Sequence, residues 1–425
     1  MGVTIILILF VAFLIGIPIC FSLGLVSMGG VIAMDLPTMV VIQRMFTGAD
    51  SFALVAIPLF ILAGGLMFQG GMSKRLVNFS DALIGHFPSG LAMVSILACM
   101  FFAAITGSAI AATAAIGGLM IPLMEEKGYH REFSAPLLAT AGSIGPIIPP
   151  SIPLLLYGVI ANVSVAKLFI GGFVPGILMG LSLMILSYII GKKRHYVGRE
   201  TRAPFKEVLV CGRDAILALL TPIIIIGGIM SGIFTATESG AIAVAYSLFV
   251  GGAIYRELTF KKLYDLLIDT AKTTGVVLIV VAFASLFTWV LTINQLPQQV
   301  TALLSQVATN KIVLLIIINI ILLIAGTFID TVSALVIFAP LFLPLTAKFG
   351  IDPIHFGLIL AVNLTIGMCT PPLGVCLFVS SGIAKISLKD MMKDLIPQLI
   401  ALLIVLAIVT YLPQVVLWLP NLLVK

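Results

Sequence analysis

Long apolar runs, each interrupted by a short cluster of small or polar residues, set the pattern of this chain, and the pattern occurs twice. Runs such as 168–190, 276–293 and 395–412 are long enough, or nearly so, for helices crossing ~30 Å of hydrocarbon. None alternates apolar with polar positions, which argues against a transmembrane barrel. Aligned with itself at an offset of 222 residues, without a gap, the chain places Pro122 on Pro344, Gly128 on Gly350, Gly145 on Gly367, Pro149 and Pro150 on Pro371 and Pro372, Lys167 on Lys389, and Pro175 on Pro397. Each copy reads as a span (52–68; 274–291), a loop, and an apolar stretch with polar interruptions (91–124; 312–347). A span broken at GPIIPP (145–150) or GMCTPP (367–372) follows, and then one more complete span. Paired breaks at matching positions of two halves point to the binding site of a secondary transporter.

The fold class predicted is an all-α polytopic membrane protein with two inverted-topology repeats, each carrying a re-entrant helical hairpin and a broken transmembrane helix. An interrupted stretch that enters and leaves on one face is tolerated at depth only where its tip is buried in protein or lines a cavity. The expected organisation begins with a first span over 1–34, which has no small-residue cleavage site and so does not read as a signal peptide. Repeat 1 covers 35–190, with an arm helix at 36–49, a hairpin at 91–124 and a broken helix at 134–162. A basic loop (191–213) and scaffold spans (214–256) lead to repeat 2 over 257–418, with an arm helix at 259–272, a hairpin at 312–347 and a broken helix at 354–384. A tail occupies 419–425.

Charge orients this plan of nine crossings and two hairpins. Of the 23 Lys and Arg residues, only Arg44, Lys167, Lys311, Lys348 and Lys425 fall on one face, and the rest fall on the other. The richer face is cytoplasmic, which puts the N-terminus inside and the C-terminus outside. Full double crossings in place of the hairpins would leave this tally unchanged.

Composition excludes the competing classes. With 61% hydrophobic and 9% charged residues, there is too little polar surface to cover a soluble globule of 425 residues. The net charge of +6 follows from the cytoplasmic bias, so no nucleic-acid partner is expected. Five cysteines and four histidines show no disulfide framework and no transition-metal spacing. A hydrolase would need a base beside Ser108 or Cys369, and no histidine lies in an apolar span to serve. The chain reads as a transporter and not an enzyme.

Candidate chemistry collects at the breaks and the hairpin tips. A proline leaves the carbonyl four residues earlier without its helical partner, so Pro149, Pro150, Pro371 and Pro372 free those of Gly145, Pro146, Gly367 and Met368. Uncharged inward dipoles of this kind suit sodium, and a half-helix starting after each break, at Ser151 or Leu373, offers its positive end to an anion. The tips add Thr106, Gly107 and Ser108 in one copy, and Thr327, Asp330 and Thr331 in the other. The expected sodium ligands are Gly107, Ser108, Gly145, Ile148 and Pro150 in the first repeat, and Thr331, Gly367, Thr370 and Pro372 in the second. Substrate is expected between the tips at Ser108, Thr113, Thr327 and Asp330. Asp330, whose equivalent is Ser108, could bind cation, proton or a substrate hydroxyl, or it could simply cap the second arm of its hairpin. Glu238 reads as the cap of a short turn.

The combination of ITGSA (105–109), GPIIPPSIP (145–153), ATESGA (236–241) and TPPLG (370–374) resembles the large membrane subunit of tripartite ATP-independent periplasmic (TRAP) transporters, over essentially the whole chain. The resemblance implies an elevator-type transporter driven by a sodium gradient. It also implies a small membrane subunit of about four helices as a separate chain and a soluble periplasmic binding protein that delivers an organic anion. C4-dicarboxylates, sialic acid and other sugar acids are the substrates of such systems, and no arginine at either tip selects among them. A self-sufficient carrier with the same hairpin plan is the alternative, and transport without a binding protein would distinguish it.

Overall fold

The computed structural model describes residues 2–196, 198–199 and 201–423, and among them only helices and their connections occur. Lys425, counted above on the sparsely charged face, lies outside the described residues. Helices are what apolar sequence of this length forms in a membrane, because each backbone group then finds its partner within the segment. Nine of the described helices are long and apolar enough to cross a membrane. They are not the nine expected crossings. Three of them, Ala109–Glu126, Lys311–Phe328 and Thr331–Lys348, are hairpin helices. Three expected crossings, the first span and the two broken ones, are each divided into shorter helices.

The first hairpin pairs Gly90–Thr106 with Ala109–Glu126, and the second pairs Lys311–Phe328 with Thr331–Lys348. Shifting 106, 109 and 126 by 222 lands on 328, 331 and 348, so the helix ends recur at the offset seen in the sequence. The broken helices run Arg131–Gly142 with Ile152–Ala161, and Pro353–Gly367 with Val375–Ala384. Each repeat's second hairpin arm packs on the other repeat's second half-helix, Ala109–Glu126 on Val375–Ala384 and Thr331–Lys348 on Ile152–Ala161. Buried polar links join the same elements to the closing helices Val165–Arg194 and Leu388–Tyr411. Thr140 donates to Gln398 at 2.9 Å, and Asn319, which accepts from Asn363 at 2.6 Å, donates to Thr410 at 3.2 Å. Arg194 meets Asp394 with both guanidinium nitrogens, one at 2.8 Å, and stacks over Phe133. These links make one interlocked unit. A second layer is formed by Ile19–Ala33, the arm helix Met39–Ala49, Ala56–Gln69, Phe205–Met230, Ala236–Phe249 and Phe260–Ile293.

Several expected limits shift for local reasons. The first span divides into Gly2–Leu14 and Ile19–Ala33 at Gly16, with φ +86°, and Pro18. The second arm is no separate helix but the opening of Phe260–Ile293. In the first copy Asp50 and an extended Ser51 end the arm, whereas their equivalents Lys272 and Thr273 continue the helix. Helices Met72–Ile84 and Leu296–Val307 stand where loops were expected, because their apolar faces are narrow and interleaved with Lys, Asn and Gln. Helices enter the expected basic loop from both sides, one ending at Arg194 and the next starting at Phe205, and Arg199 is held by Glu207 at 2.6 Å. The expected tail is largely the end of a helix, Pro413–Leu423. Glu238 does cap its helix, in a reciprocal box with Thr235.

Replacing Asp394 by Ala leaves Arg194 unpaired while its side chain is only 30% exposed. The purified protein should lose about 1–3 kcal/mol of stability, seen as a lower melting temperature, and the double change to Met at both positions should recover most of it.

Candidate functional site

The first tip rests directly on the first break. Gly107 adopts φ +60°, and a Cβ there would sit 2.5 Å from the Pro150 carbonyl oxygen. A Cβ on Gly145 would sit 2.7 Å from the Ser108 carbonyl oxygen. Only glycine allows this approach, and it brings the Ser108 and Pro150 carbonyls into one small region with Gly107 and Gly145. Residues 141–158 are all buried. Ile148 lies within this buried run and directs its side chain toward Gly176. The Pro149–Pro150 and Pro371–Pro372 peptides are both cis.

The carbonyls freed by proline are not all idle. Pro146 accepts from the Ser151 hydroxyl, and Ser151 in turn accepts from Leu154 N–H at 3.2 Å and so starts Ile152–Ala161. Gly367 accepts from Thr370 N–H at 2.8 Å, and Met368 accepts from Cys376 N–H at 3.1 Å. No hydrogen bond to the Gly145 carbonyl occurs among the described residues. The second tip also touches its break. A Cβ on Gly367 would lie 2.6 Å from Gly326 backbone, the Thr331 hydroxyl reaches Met368 Sδ at 3.0 Å, and Gly374 N–H donates to the Thr327 carbonyl at 3.3 Å. The break itself is looser than the first, with Pro372 and Leu373 exposed. Its half-helix starts at Val375 after Gly374 in the left-handed region, two residues beyond the expected Leu373. Thr370 donates its hydroxyl proton back to Ile366 at 2.8 Å, leaving the oxygen lone pairs to face outward.

A cavity of about 620 Å³ joins the two tips. Ser108 and Asp330 line it, with Gly107, Thr331, Pro146 and Met368. Two expected contacts do not. Thr113 is fully buried against Gly142, because Ala111, Ala114 and Ala115 occupy the helix face turned to the cavity. Thr327 is 5% exposed, and its hydroxyl bonds back to the Ile324 carbonyl at 2.7 Å. Asp330 proves to be a cap and a cavity residue at once. One carboxylate oxygen accepts from Ser333 N–H at 3.1 Å, while the half-buried side chain borders the cavity.

The second layer supplies the opposite wall, through Gly64 and Phe68 on one helix and Leu266, Asp269, Thr270 and Thr273 on another. The sequence reading missed Asp269 and Thr270, since it assigned 259–272 to a surface arm, and Thr273, which lies between that arm and the span at 274–291. Electrostatically the cavity has two features. No Lys or Arg lines it among the described residues. Instead three helices begin at its wall, Ala109–Glu126, Ile152–Ala161 and Thr331–Lys348, so three positive helix ends converge there, each with its third N–H already given to the cap at Ser108, Ser151 or Asp330.

Comparisons with known proteins agree with this architecture. The model of the family described as "Tripartite ATP-independent periplasmic transporter, DctM component" matches residues 6–415. The chain is 44% identical over 402 residues to the isethionate TRAP transporter permease protein DctMQ of Oleidesulfovibrio alaskensis, covering 94% of the chain and 63% of that protein. It is 43% identical over 377 residues to the 2,3-diketo-L-gulonate TRAP transporter large permease protein of Escherichia coli, with 88% of each covered. It is 40% identical over 408 residues to the sialic acid TRAP transporter large permease protein of Vibrio cholerae, covering 96% and 95%. The fold resembles that of the Alcanivorax borkumensis YdaH transporter, with a TM-score of 0.63, 15% identity and coverage of 89% and 87%.

The double role of Asp330 can be separated by substitution. Asp330→Asn keeps an acceptor for Ser333 N–H and removes the charge, whereas Asp330→Ala removes both. Uptake should fall at least about tenfold in both variants, and only the Ala variant should lose about 1 kcal/mol of stability. Wild-type uptake by Asp330→Asn would reduce this residue to a cap.

Proposed function

Because the chain belongs to the DctM-component family of tripartite ATP-independent periplasmic transporters, we propose that it is the large membrane subunit of a sodium-coupled uptake system for an organic anion. The observation that carries this reading is the convergence of three helix starts on one cavity between two hairpin tips. Helix starts offer fixed N–H donors and partial positive charge to an anion without a buried Lys or Arg. Asp330 and Asp269 at the same cavity oppose an anion on its own. A co-bound cation relieves that opposition, and this is a physical basis for coupling.

The tip-and-break contacts give each repeat a cluster of oxygens for sodium. In the first repeat, the carbonyls at Gly145, Ser108 and Pro150 are the candidates, with Gly107 and Ile148 shaping the loop. In the second, the candidates are the Thr331 and Thr370 hydroxyls and the backbone at Gly367 and Pro372. Substrate binds against Ser108 and Asp330. The cavity lies on the boundary between the interlocked hairpin unit and the second layer, so sliding one against the other would carry the site between faces, as in an elevator. In the conformation described, the cavity opens beside Asp269, whose side chain is 74% exposed next to Lys272. By the charge bias this is the cytoplasmic face. The relatives named for isethionate, diketogulonate and sialic acid all concern organic anions. A small four-helix membrane subunit and a periplasmic binding protein complete the system.

The experiment is reconstitution in liposomes with candidate small subunits and binding proteins loaded with C4-dicarboxylate, sialic acid or another sugar acid. Uptake should require both partners and an inward sodium gradient, and the chain by itself should be inert. Equal rates with potassium on both sides would remove sodium coupling, and transport without either partner would make the chain a self-sufficient carrier.

A further inference from the structure

The substrate cavity has a smaller counterpart near the other face. A cavity of about 310 Å³ lies between the arm helix Met39–Ala49, Phe260–Ile293 and the hairpin unit, lined among others by Arg44, Gly48, Leu156, Ser285, Trp289 and Val336. The offset of 222 residues carries Arg44 onto Leu266, Gly48 onto Thr270, and Ala114 onto Val336, and Leu266, Thr270 and Ala114 line the larger cavity. The two spaces therefore occupy equivalent positions in the two repeats, at opposite ends of the boundary across which the hairpin unit would slide.

What the repeats do not share is charge. The larger cavity opens beside a carboxylate, Asp269, and has Leu266 where the smaller has Arg44. Arg44 is exposed and its guanidinium carbon lies 5.0 Å from the centroid of the Trp289 ring. Among the described residues no carboxylate comes within 4.0 Å of it. It is also not turned to lipid. Ile42 and Phe46, 64% and 69% exposed, occupy the outer face of the arm helix, whereas Arg44 shares a face with buried Val41 and with Gly48, which packs on Ser285. An arginine that is always protonated, fixed on an aromatic ring and without a carboxylate partner, is an anion receptor.

We propose that Arg44 and Trp289 form a second, outward-facing anion subsite that takes the carboxylate, or another anionic head, of the substrate before it reaches the hairpin tips. The inference rests on the reading of the protein as an organic-anion importer. It adds an entry point to that reading: the outer approach carries an arginine without a carboxylate partner, whereas Asp269 at the inner mouth stands beside Lys272.

The chain has two tryptophans, so Trp418→Phe leaves Trp289 as the sole indole reporter beside Arg44. In neutral phosphatidylcholine nanodiscs, iodide should quench Trp289 at least about twofold more, relative to neutral acrylamide, than it does when Arg44→Gln is added. Free succinate should suppress the excess quenching, and Arg44→Lys should keep most of it. In the reconstituted three-component system, Arg44→Gln should raise KM about tenfold and leave kcat within about twofold, with partial rescue by Lys. Equal quenching in both backgrounds, no competition by succinate, or an unchanged KM would overturn the proposal. So would a transport effect confined to membranes with anionic lipid, which would make Arg44 a headgroup anchor. If wild-type protein transports no organic anion, the importer reading fails first, and the quenching experiment still decides whether Arg44 receives anions.

Discussion

Irregular backbone inside a membrane must be satisfied by protein, and this constraint governs the centre of the molecule. Two helices are interrupted at depth, and each interruption exposes peptide groups that hydrocarbon cannot solvate. The hairpins solve the problem by packing their tips onto the interruptions, closely enough that Gly145 and Gly367 face backbone atoms of the opposing tip where a Cβ would intrude. Ser151, Thr370 and Cys376 then take up three of the released carbonyls. What remains is a small set of oxygens and helix starts, grouped because the fold needs them buried together. In the function proposed, binding chemistry is a residue of the packing problem: the polar groups that tip and break do not satisfy between themselves are those offered to a cation and an anion.

The duplication supplies the frame, and departures from it supply the function. Helix ends of the hairpins recur at one offset, yet the first break is fully buried while Pro372 and Leu373 of the second are exposed. Asp330 replaces Ser108, and the continuous helix Phe260–Ile293 replaces an arm and a span separated by Asp50 and Ser51. The continuity matters. It places Asp269, Thr270 and Thr273 on one helix that forms both arm and span at the cavity wall.

The all-helical membrane fold and the family were legible in the sequence because Pro and Gly punctuate long apolar runs at a fixed spacing, which needs no knowledge of contacts. The site was legible only in part. Ser108 and Asp330 stand at helix starts, where position along the chain determines direction, and both reach the cavity. Thr113 and Thr327 lie inside helices, where direction depends on rotational phase, and neither does. The helices Met72–Ile84 and Leu296–Val307 were hidden by their polar faces. Asp269 was hidden by the pseudo-symmetry itself, since its equivalent Thr47 belongs to an arm helix.

The central claim is that the tip-and-break clusters bind sodium, and a purified chain without partners or substrate tests it most directly. A ligand that binds only the folded state stabilises it by about 2.7 kcal/mol at a hundredfold excess over its Kd. At constant ionic strength, replacing potassium by sodium should raise the melting temperature by several degrees, saturably, with no such rise for caesium. Identical melting in sodium and potassium across the whole concentration range would contradict the account.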